Sequence, residues 1–375
     1  MIPVTKPFLP PKEEYQAYLD EIWERTWLTN NGPLVKKFEQ KMASYLGFNS
    51  LIYVSSGTTA LQLAIRALDL KGEIITTPFS FVATTNSILW EGCKPVFTDI
   101  DPKTLNIDPS QIEESITADT SAILATHVFG NPCDIDAISR IAEKHDLKVI
   151  YDAAHCFGTK YKGQSVLNYG DISTISFHAT KVFHSIEGGG IVCQNEKLAE
   201  RVASLRNFGY NTNAEHANPG INGKNSEFHA AMGLCNLKYA DQLLSEREHQ
   251  YLTYVKLLMD LDIQLQEPES GTKINYSYFP ILFENEETLL EMIKRLEANG
   301  FYPRRYFHPS LSELPYLKKQ DTPVSQSVSK RILCLPMFNG LNLQDQKKMC
   351  RLLLQKKAHS LYFRFSKVLM KAASL

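Results

Sequence analysis

Lys181 lies in the stretch Ser173–Gly190, which reads STISFHATKVFHSIEGGG. A lysine ordinarily carries a hydrated charge at the surface. Here Ile175 and Phe177 alternate with Ser176 before it, Val182 and Phe183 follow it, and Glu187-Gly-Gly-Gly leads into the apolar run Ile191-Val192-Cys193. That pattern places the amine at a strand end, beside a cleft. Desolvation or a nearby cation lowers a lysine pKa from about 10.4 towards neutrality, and the free amine can then attack a carbonyl to form a Schiff base. Pyridoxal phosphate is the commonest carbonyl cofactor held this way. It needs a phosphate cradle, an acid for the ring nitrogen and a flat wall for the ring.

Each of the three has a candidate. Ser55-Ser56-Gly57-Thr58-Thr59 joins a short apolar run to a helical one, so its N–H groups can face an anion at a helix start, although Ser and Thr also cap helices that bind nothing. The loop is neither a Walker A sequence nor GxGxxG. Lys148-Val-Ile-Tyr-Asp152 ends a strand-like run in a carboxylate that could keep a pyridine protonated; the same residue type also begins turns and helices. Phe79 and Phe81 both follow a strand end, and the position of Phe81 favours it as the wall, with core packing as the ordinary alternative for either ring.

These residues need a scaffold. Apolar runs at Leu51–Val54, Glu73–Thr77, Pro95–Thr98, Ser121–His127 and Lys148–Tyr151 alternate with segments of helical spacing such as Leu61, Ala64, Ile65 and Leu68. The rhythm predicts an α/β fold with a large doubly wound sheet. Helices are expected over Glu13–Trp27 and Pro33–Leu46, and a long one from Ser226 to about Leu258. The polar stretch Asn207–Asn225 is too long for an ordinary connection, and so is a functional or mobile loop. Strands near Tyr276–Phe283, Phe301–Tyr306 and Arg331–Leu335, with helices near Glu286–Ala298 and Gln344–Leu354, read as a smaller α+β domain. The expected division is 1–240, with the N-terminal arm, and 241–375. The tail His359–Leu375 reads as packed or frayed.

With 375 residues and 43% apolar content the chain is long enough for two cores. Forty basic against forty-one acidic residues argue against nucleic acid or an anionic membrane as the main partner. Seven scattered cysteines without C-x-x-C spacing fit a reducing compartment. Prolines in MIPVTKPFLPP replace the apolar run of a signal peptide, and the expectation is a soluble cytoplasmic protein. Without HExxH or a Cys/His ligand spacing, no metal is expected.

Ser56-Gly57-Thr58-Thr59-Ala60-Leu61, Ser80-Phe81-Val82-Ala83-Thr84, Asp152-Ala153-Ala154-His155 and Ser176-Phe177-His178-Ala179-Thr180-Lys181 with Glu187-Gly188-Gly189 stand in the order and spacing of a known family. From about Pro7 to Leu354 the chain resembles the nucleotide-sugar aminotransferases of the DegT type, which are fold-type I pyridoxal-phosphate enzymes. The resemblance implies that Lys181 holds the cofactor and moves the proton, that Asp152 pairs with the ring nitrogen, and that His155 lies beside the ring's phenolic oxygen. It implies further that Gly57, Thr58 and Ser176 bind the phosphate and that Phe81 stacks on the ring. Asn222, in Gly220-Ile-Asn-Gly-Lys224, would reach the phosphate of a second copy, making an obligate homodimer with shared sites. Lys224 stands where the family more often has arginine, and a point charge does not reproduce a bidentate fork. Asn30, in a Leu-Thr-x-x-Gly-Pro turn, and His308, in Tyr306-Phe-His-Pro, match positions around the sugar nucleotide. The Lys181–Gly189 loop and the residues Ile2–Pro11 resemble members that aminate carbon 4. The implied reaction moves the amino group of L-glutamate to a dTDP-linked 4-keto-6-deoxyhexose, for O-antigen or another surface polysaccharide, with a UDP sugar or carbon 3 as the alternative.

A sugar dehydratase on the same scaffold would carry histidine in place of the lysine; position 181 is lysine, although His184 is close by. A regulatory protein that keeps the fold without the chemistry is the remaining rival, and the visible band of a bound cofactor would separate the two.

Overall fold

The computed structural model describes residues 1–210 and 215–355; the tail 359–375 lies outside the described residues. Seven strands form the main sheet: β1 (Ile52–Val54), β2 (Glu73–Thr76), β3 (Lys94–Phe97), β4 (Thr120–Thr126), β5 (Lys148–Asp152), β6 (Ile172–Ser176) and β7 (Gly189–Cys193). Their spatial order is β1-β7-β6-β5-β4-β2-β3, and β7 runs antiparallel to both of its neighbours while the other pairings are parallel. The expected doubly wound α/β architecture is therefore present, as a mixed sheet.

Alternate strand residues serve opposite faces, as the pleat requires. Tyr53, Ile75, Ile123, Val149, Tyr151 and Ile175 pack under the helices Pro33–Leu46, Ile135–His145 and Glu227–Leu237. Ile52, Val54, Ile74, Leu124, Ile150 and Ile191 pack under Gly57–Ala67 and Glu196–Arg206. Both faces are covered, which is why these strands read as continuous apolar runs rather than as alternating ones.

The helix Pro33–Leu46 forms as its sequence predicts, with Pro33 in its first turn and Gly47 at φ 77° closing it. Its N-terminus is finished from far along the chain. The buried Glu227 carboxylate accepts from the N–H groups of Leu34 at 2.8 Å and Val35 at 2.9 Å. A Cβ on Gly32 would lie 2.6 Å from that carboxylate carbon, so any larger residue there would push the carboxylate off the two N–H groups. Replacing Glu227 with alanine strands two N–H groups inside the protein. Urea unfolding is expected to show a loss of about 2–3 kcal/mol, the range for hydrogen bonds to a charged group.

The single helix expected from Ser226 to Leu258 is two, Glu227–Leu237 and Ala240–Leu257. No glycine or proline marks the break. Tertiary contacts set it: Glu14 takes hydrogen bonds from both Lys238 and Tyr239, the Tyr239 ring lies 5.3 Å from Phe8, and Asn236 Nδ2 donates to the His184 carbonyl at 2.8 Å.

The second helix opens a smaller α+β unit. Strands Gln264–Leu265, Phe279–Leu282 and Ile332–Leu335 form a three-stranded antiparallel sheet, and helices Glu286–Ala298 and 343–355 pack with it around Tyr254, Phe279, Leu289 and Leu333. Ile2–Pro3 pairs with Phe301–Tyr302, so the first residues of the arm lie against this unit. The strand expected over Phe301–Tyr306 is regular for only its first two residues, and its irregular continuation crosses back towards the large sheet. Among the described residues no helix is long and apolar enough to cross a membrane.

Candidate active site

A cavity of about 280 Å³ opens where β1, β5 and β6 end and β7 begins. Parallel strands release their loops at this edge, which is where α/β sheets hold ligands. Asp152, the last residue of β5, is buried at its base. Its Oδ2 accepts from Thr84 Oγ1 at 2.7 Å and its Oδ1 from the Ala154 N–H at 3.1 Å. Thr84 in turn contacts Ser80 Oγ at 2.8 Å, and Ser80 contacts Thr126 Oγ1 at 3.1 Å, so a run of hydroxyls fixes the carboxylate. Burial raises the Asp152 pKa, and the Thr84 and Ala154 hydrogen bonds and the Lys181 charge only partly offset it. A carboxylate in this condition gains from a cation set against it.

Lys181 lines the same cavity, half-buried in its wall. Desolvation lowers its pKa to about 8; the Arg304 charge acts in the same direction, and Asp152 acts against both. The neutral, nucleophilic fraction therefore rises through a pH near 8, and at pH 7.5 it is roughly two hundred times that of an ordinary lysine. Treating the cofactor-free protein with a small aldehyde and borohydride should label Lys181 with an inflection near pH 8, read by peptide mass. An inflection near 10.5 would show an exposed amine.

His155 has a fixed role at the cavity wall. Its Nδ1 accepts from the Phe129 N–H at 3.2 Å, which leaves the proton on Nε2. Burial, with Lys181 second, keeps the ring neutral by pushing its pKa well below the usual value. The rings of Phe129 and Phe307 lie nearly parallel to it, at 6.3 and 6.0 Å. The result is a neutral donor with one orientation.

At the other end of the cavity, Ser56 caps the helix Gly57–Ala67 by accepting from the Thr59 N–H at 3.1 Å. The N–H groups of Gly57 and Thr58 precede that of Ala60, the first to donate within the helix, to the Ser56 carbonyl at 3.0 Å, and remain for an anion. A Cβ on Gly57 would sit 3.0 Å from the Ser176 Cβ, so the bare glycine keeps this cradle open. Ser176, which ends β6, contributes its hydroxyl to the same cavity. Phe81 is half-exposed on the cavity wall, whereas Phe79 is fully buried against Phe129 and Phe307. The structure thus separates the two candidate rings.

Lys181, Asp152, His155, Ser176, Gly57, Thr58 and Phe81 meet in one cavity. The other three candidates do not line it. Asn30, at φ 60°, sits with Lys224 along a separate groove of about 760 Å³. Lys224 Nζ donates to Asn207 Oδ1 at 2.8 Å and lies 4.5 Å above the Phe208 ring, so its charge is held within the loop. Asn222 is exposed beside Asn207, in a loop joined to the back of the cradle by the Ser55 N–H to Gly223 carbonyl bond of 2.9 Å. His308 is exposed and accepts from Arg305 at 3.3 Å.

Thr84, Arg304, Tyr306 and Phe307 line or support the site without having been singled out from sequence. For Thr84 a signal existed: Ser80 and Thr84 stand four apart at a helix start, and a buried carboxylate needs donors. For Arg304 and Tyr306 the clue was their spacing of two, which puts both side chains on one side of an extended segment. Among the described residues no three His, Cys, Asp or Glu side chains converge as metal ligands.

The donor set fits pyridoxal phosphate: an amine with a depressed pKa, a buried carboxylate, a neutral Nε2–H and an open helix start share one cavity. Residues 11–354 match the model of the DegT/DnrJ/EryC1/StrS aminotransferase family. The chain is similar to a dTDP-4-amino-4,6-dideoxy-D-glucose transaminase of Shigella dysenteriae, at 47% identity over 90% of this chain and 94% of that one. An Escherichia coli protein of the same name is 40% identical over 95% of this chain and 98% of its own. Among solved structures, DesI in the presence of its TDP-sugar product superposes with a TM-score of 0.90 and 31% identity, over 97% of this chain and 95% of that one.

Proposed function

Because this chain belongs to the DegT/DnrJ/EryC1/StrS aminotransferase family, we propose that it transfers the amino group of L-glutamate to carbon 4 of dTDP-4-keto-6-deoxyglucose, giving dTDP-4-amino-4,6-dideoxyglucose. It is a transaminase of the fold-type I class, and its cofactor is pyridoxal 5'-phosphate. The observation that carries the reading is the convergence of Lys181, Asp152 and the Ser56–Thr58 helix start on one cavity, in a chain 47% identical to a transaminase of that name.

When bound, the cofactor supplies an aldehyde carbon to carry nitrogen and a ring that takes up electron density. Lys181 Nζ would hold it covalently, and the same nitrogen would carry the proton to and from the substrate carbon. Asp152 holds positive charge at the ring nitrogen, and Thr84 and the Ala154 N–H keep the carboxylate aimed. His155 Nε2–H donates to the phenolic oxygen. The Gly57 and Thr58 N–H groups and the Ser176 hydroxyl bind the phosphate, and Phe81 covers the ring.

Asn222 and Asn30 do not line their own cavity, and we assign both to a second copy of the chain: Asn222 to its phosphate site and Asn30, with His308, to the sugar nucleotide. The exposed apolar residues Trp27, Leu28, Phe208 and Ile221, close to both asparagines in sequence, support a homodimer there. The division at 240/241 puts the cofactor's cradle in the large domain and leaves Arg304, Tyr306 and Phe307 of the smaller one to close the cavity. We place the reaction in the cytoplasm, supplying an amino sugar for O-antigen or a related surface polysaccharide.

The test is incubation of the reconstituted protein with L-glutamate and a panel of dTDP-, UDP- and GDP-linked keto sugars, scored by product mass and NMR. The expected product carries nitrogen at carbon 4 of the dTDP sugar. Selective amination of a UDP or GDP sugar, or of carbon 3, would replace this substrate assignment.

A further inference from the structure

A second cavity, of about 310 Å³, opens among the helices Pro33–Leu46 and Ala240–Leu257, the turn at Gly158–Ser165 and the strand Thr272–Lys273. It shares no lining residue with the cofactor cavity. On one wall Lys160 and Lys273 are direct partners across an antiparallel pair. Residues so placed point to the same face, and two like charges there are destabilising. Among the described residues neither ammonium has a carboxylate within ion-pair distance.

The helix Ala240–Leu257 supplies another wall, where Asp241 and Glu248, seven positions and so two turns apart, share one face. Asp241 Oδ1 accepts from the Tyr45 hydroxyl at 2.7 Å and Glu248 Oε1 from the Tyr276 hydroxyl at 3.3 Å, which orients both carboxylates and leaves most of their acceptor capacity free. Tyr276 holds φ 51°, a left-handed conformation that a bulky residue keeps only where its surroundings enforce it. Asn275 also lines the cavity, and its Nδ2 donates to the His155 carbonyl at 2.7 Å and the Phe157 carbonyl at 2.8 Å. A ligand here lies one side chain away from the backbone of His155.

We propose that this cavity binds an acidic α-amino acid as an effector, apart from the catalytic site. Its two ammonium groups match the two carboxylates of such a ligand, and Asp241 and Glu248 match the ligand's own ammonium. A simple anion would be repelled by the carboxylates, and a simple cation by the lysines. The volume is at the lower end of that of small-molecule sites. L-Glutamate is the probe because the transaminase reading makes it the amino donor; the cavity itself does not depend on that reading.

The test begins with holoenzyme treated with L-glutamate and dialysed, so that the cofactor already carries nitrogen and the catalytic site has no use for a second donor. L-Glutamate is then titrated by calorimetry, with cofactor-free protein in parallel. Saturable binding at one site per protomer is expected in both. K160M and K273M should each weaken it at least about tenfold, the loss for a charge-assisted hydrogen bond. Their own melting temperatures should equal or exceed the original, since the like-charge pair is gone. Glutarate, which lacks the ammonium, should bind at least about tenfold more weakly than glutamate. Absence of saturable binding, or binding that neither substitution weakens, overturns the proposal. Equal affinity for glutarate overturns the amino-acid assignment, and so does tighter binding of the dTDP-amino sugar that K160M and K273M abolish. If unaltered holoenzyme transfers no nitrogen from glutamate, the transaminase reading fails, and the cofactor-free titration still decides the cavity.

Discussion

Replacing Lys181 with alanine is expected to lower turnover by at least about 10³-fold, because one ε-nitrogen both holds the cofactor and carries the proton. The folded state should survive. Lys181 makes no side-chain hydrogen bond or ion pair among those found in the described residues, and its burial disfavours its charge rather than stabilising the fold. Truncation therefore removes a desolvation cost along with the chemistry. Unfolding of the cofactor-free variant should match or exceed the original in midpoint, and its mass in solution should be unchanged. Adding pyridoxal phosphate should produce no borohydride-reducible adduct at this position. Turnover within tenfold of the unaltered protein would remove Lys181 from the mechanism.

Asp152→Asn should separate activity from stability. For unit charges about 4 Å apart at an effective dielectric near 20, an ion pair is worth about 4 kcal/mol before desolvation, so losing the ring-nitrogen partner should lower turnover by about 10²- to 10³-fold. Stability should move the other way. Burial raises the folded-state pKa of Asp152 above its unfolded value of 3.8, so between those two values the native state holds a proton that the unfolded chain has released. This group's contribution is then favourable at acid pH and declines as pH rises through that window. At neutral pH the charged carboxylate is a net cost to the cofactor-free protein. Asparagine keeps the shape and can still accept from Thr84 or the Ala154 N–H, so cofactor-free D152N should melt no lower than the original at pH 7, with its advantage shrinking towards pH 4. A clear destabilisation at pH 7 would mean that the buried charge is compensated by contacts beyond Thr84, Ala154 and Lys181.

The two experiments bear on residues that were legible without any structure, and others were not. Lys181, Asp152 and the Ser56–Thr58 loop stand out because strand ends and helix starts are written locally: an apolar run stops, small or charged residues follow, and the period changes from two to 3.6. The helix Pro33–Leu46 was readable for the same reason, with its proline and glycine at the ends. The break at Lys238-Tyr239 was not, because Glu14, more than two hundred positions away, supplies the contacts that interrupt a helical pattern with no local fault.

Local pattern thus determined which elements form, and which edge of the sheet carries an amine, a carboxylate and an anion cradle. It could not choose between Phe79 and Phe81, since both rings follow the same strand and only packing against Phe129 and Phe307 buries the first. Nor could it orient His155, whose tautomer depends on an N–H twenty-six residues earlier, or show that Arg304 faces the cavity while Arg305 is bound to Glu286. Those outcomes were decided by tertiary structure. Desolvation, long-range hydrogen bonds and the meeting of two domains act between residues distant in the chain, and the period of a single segment carries no record of them.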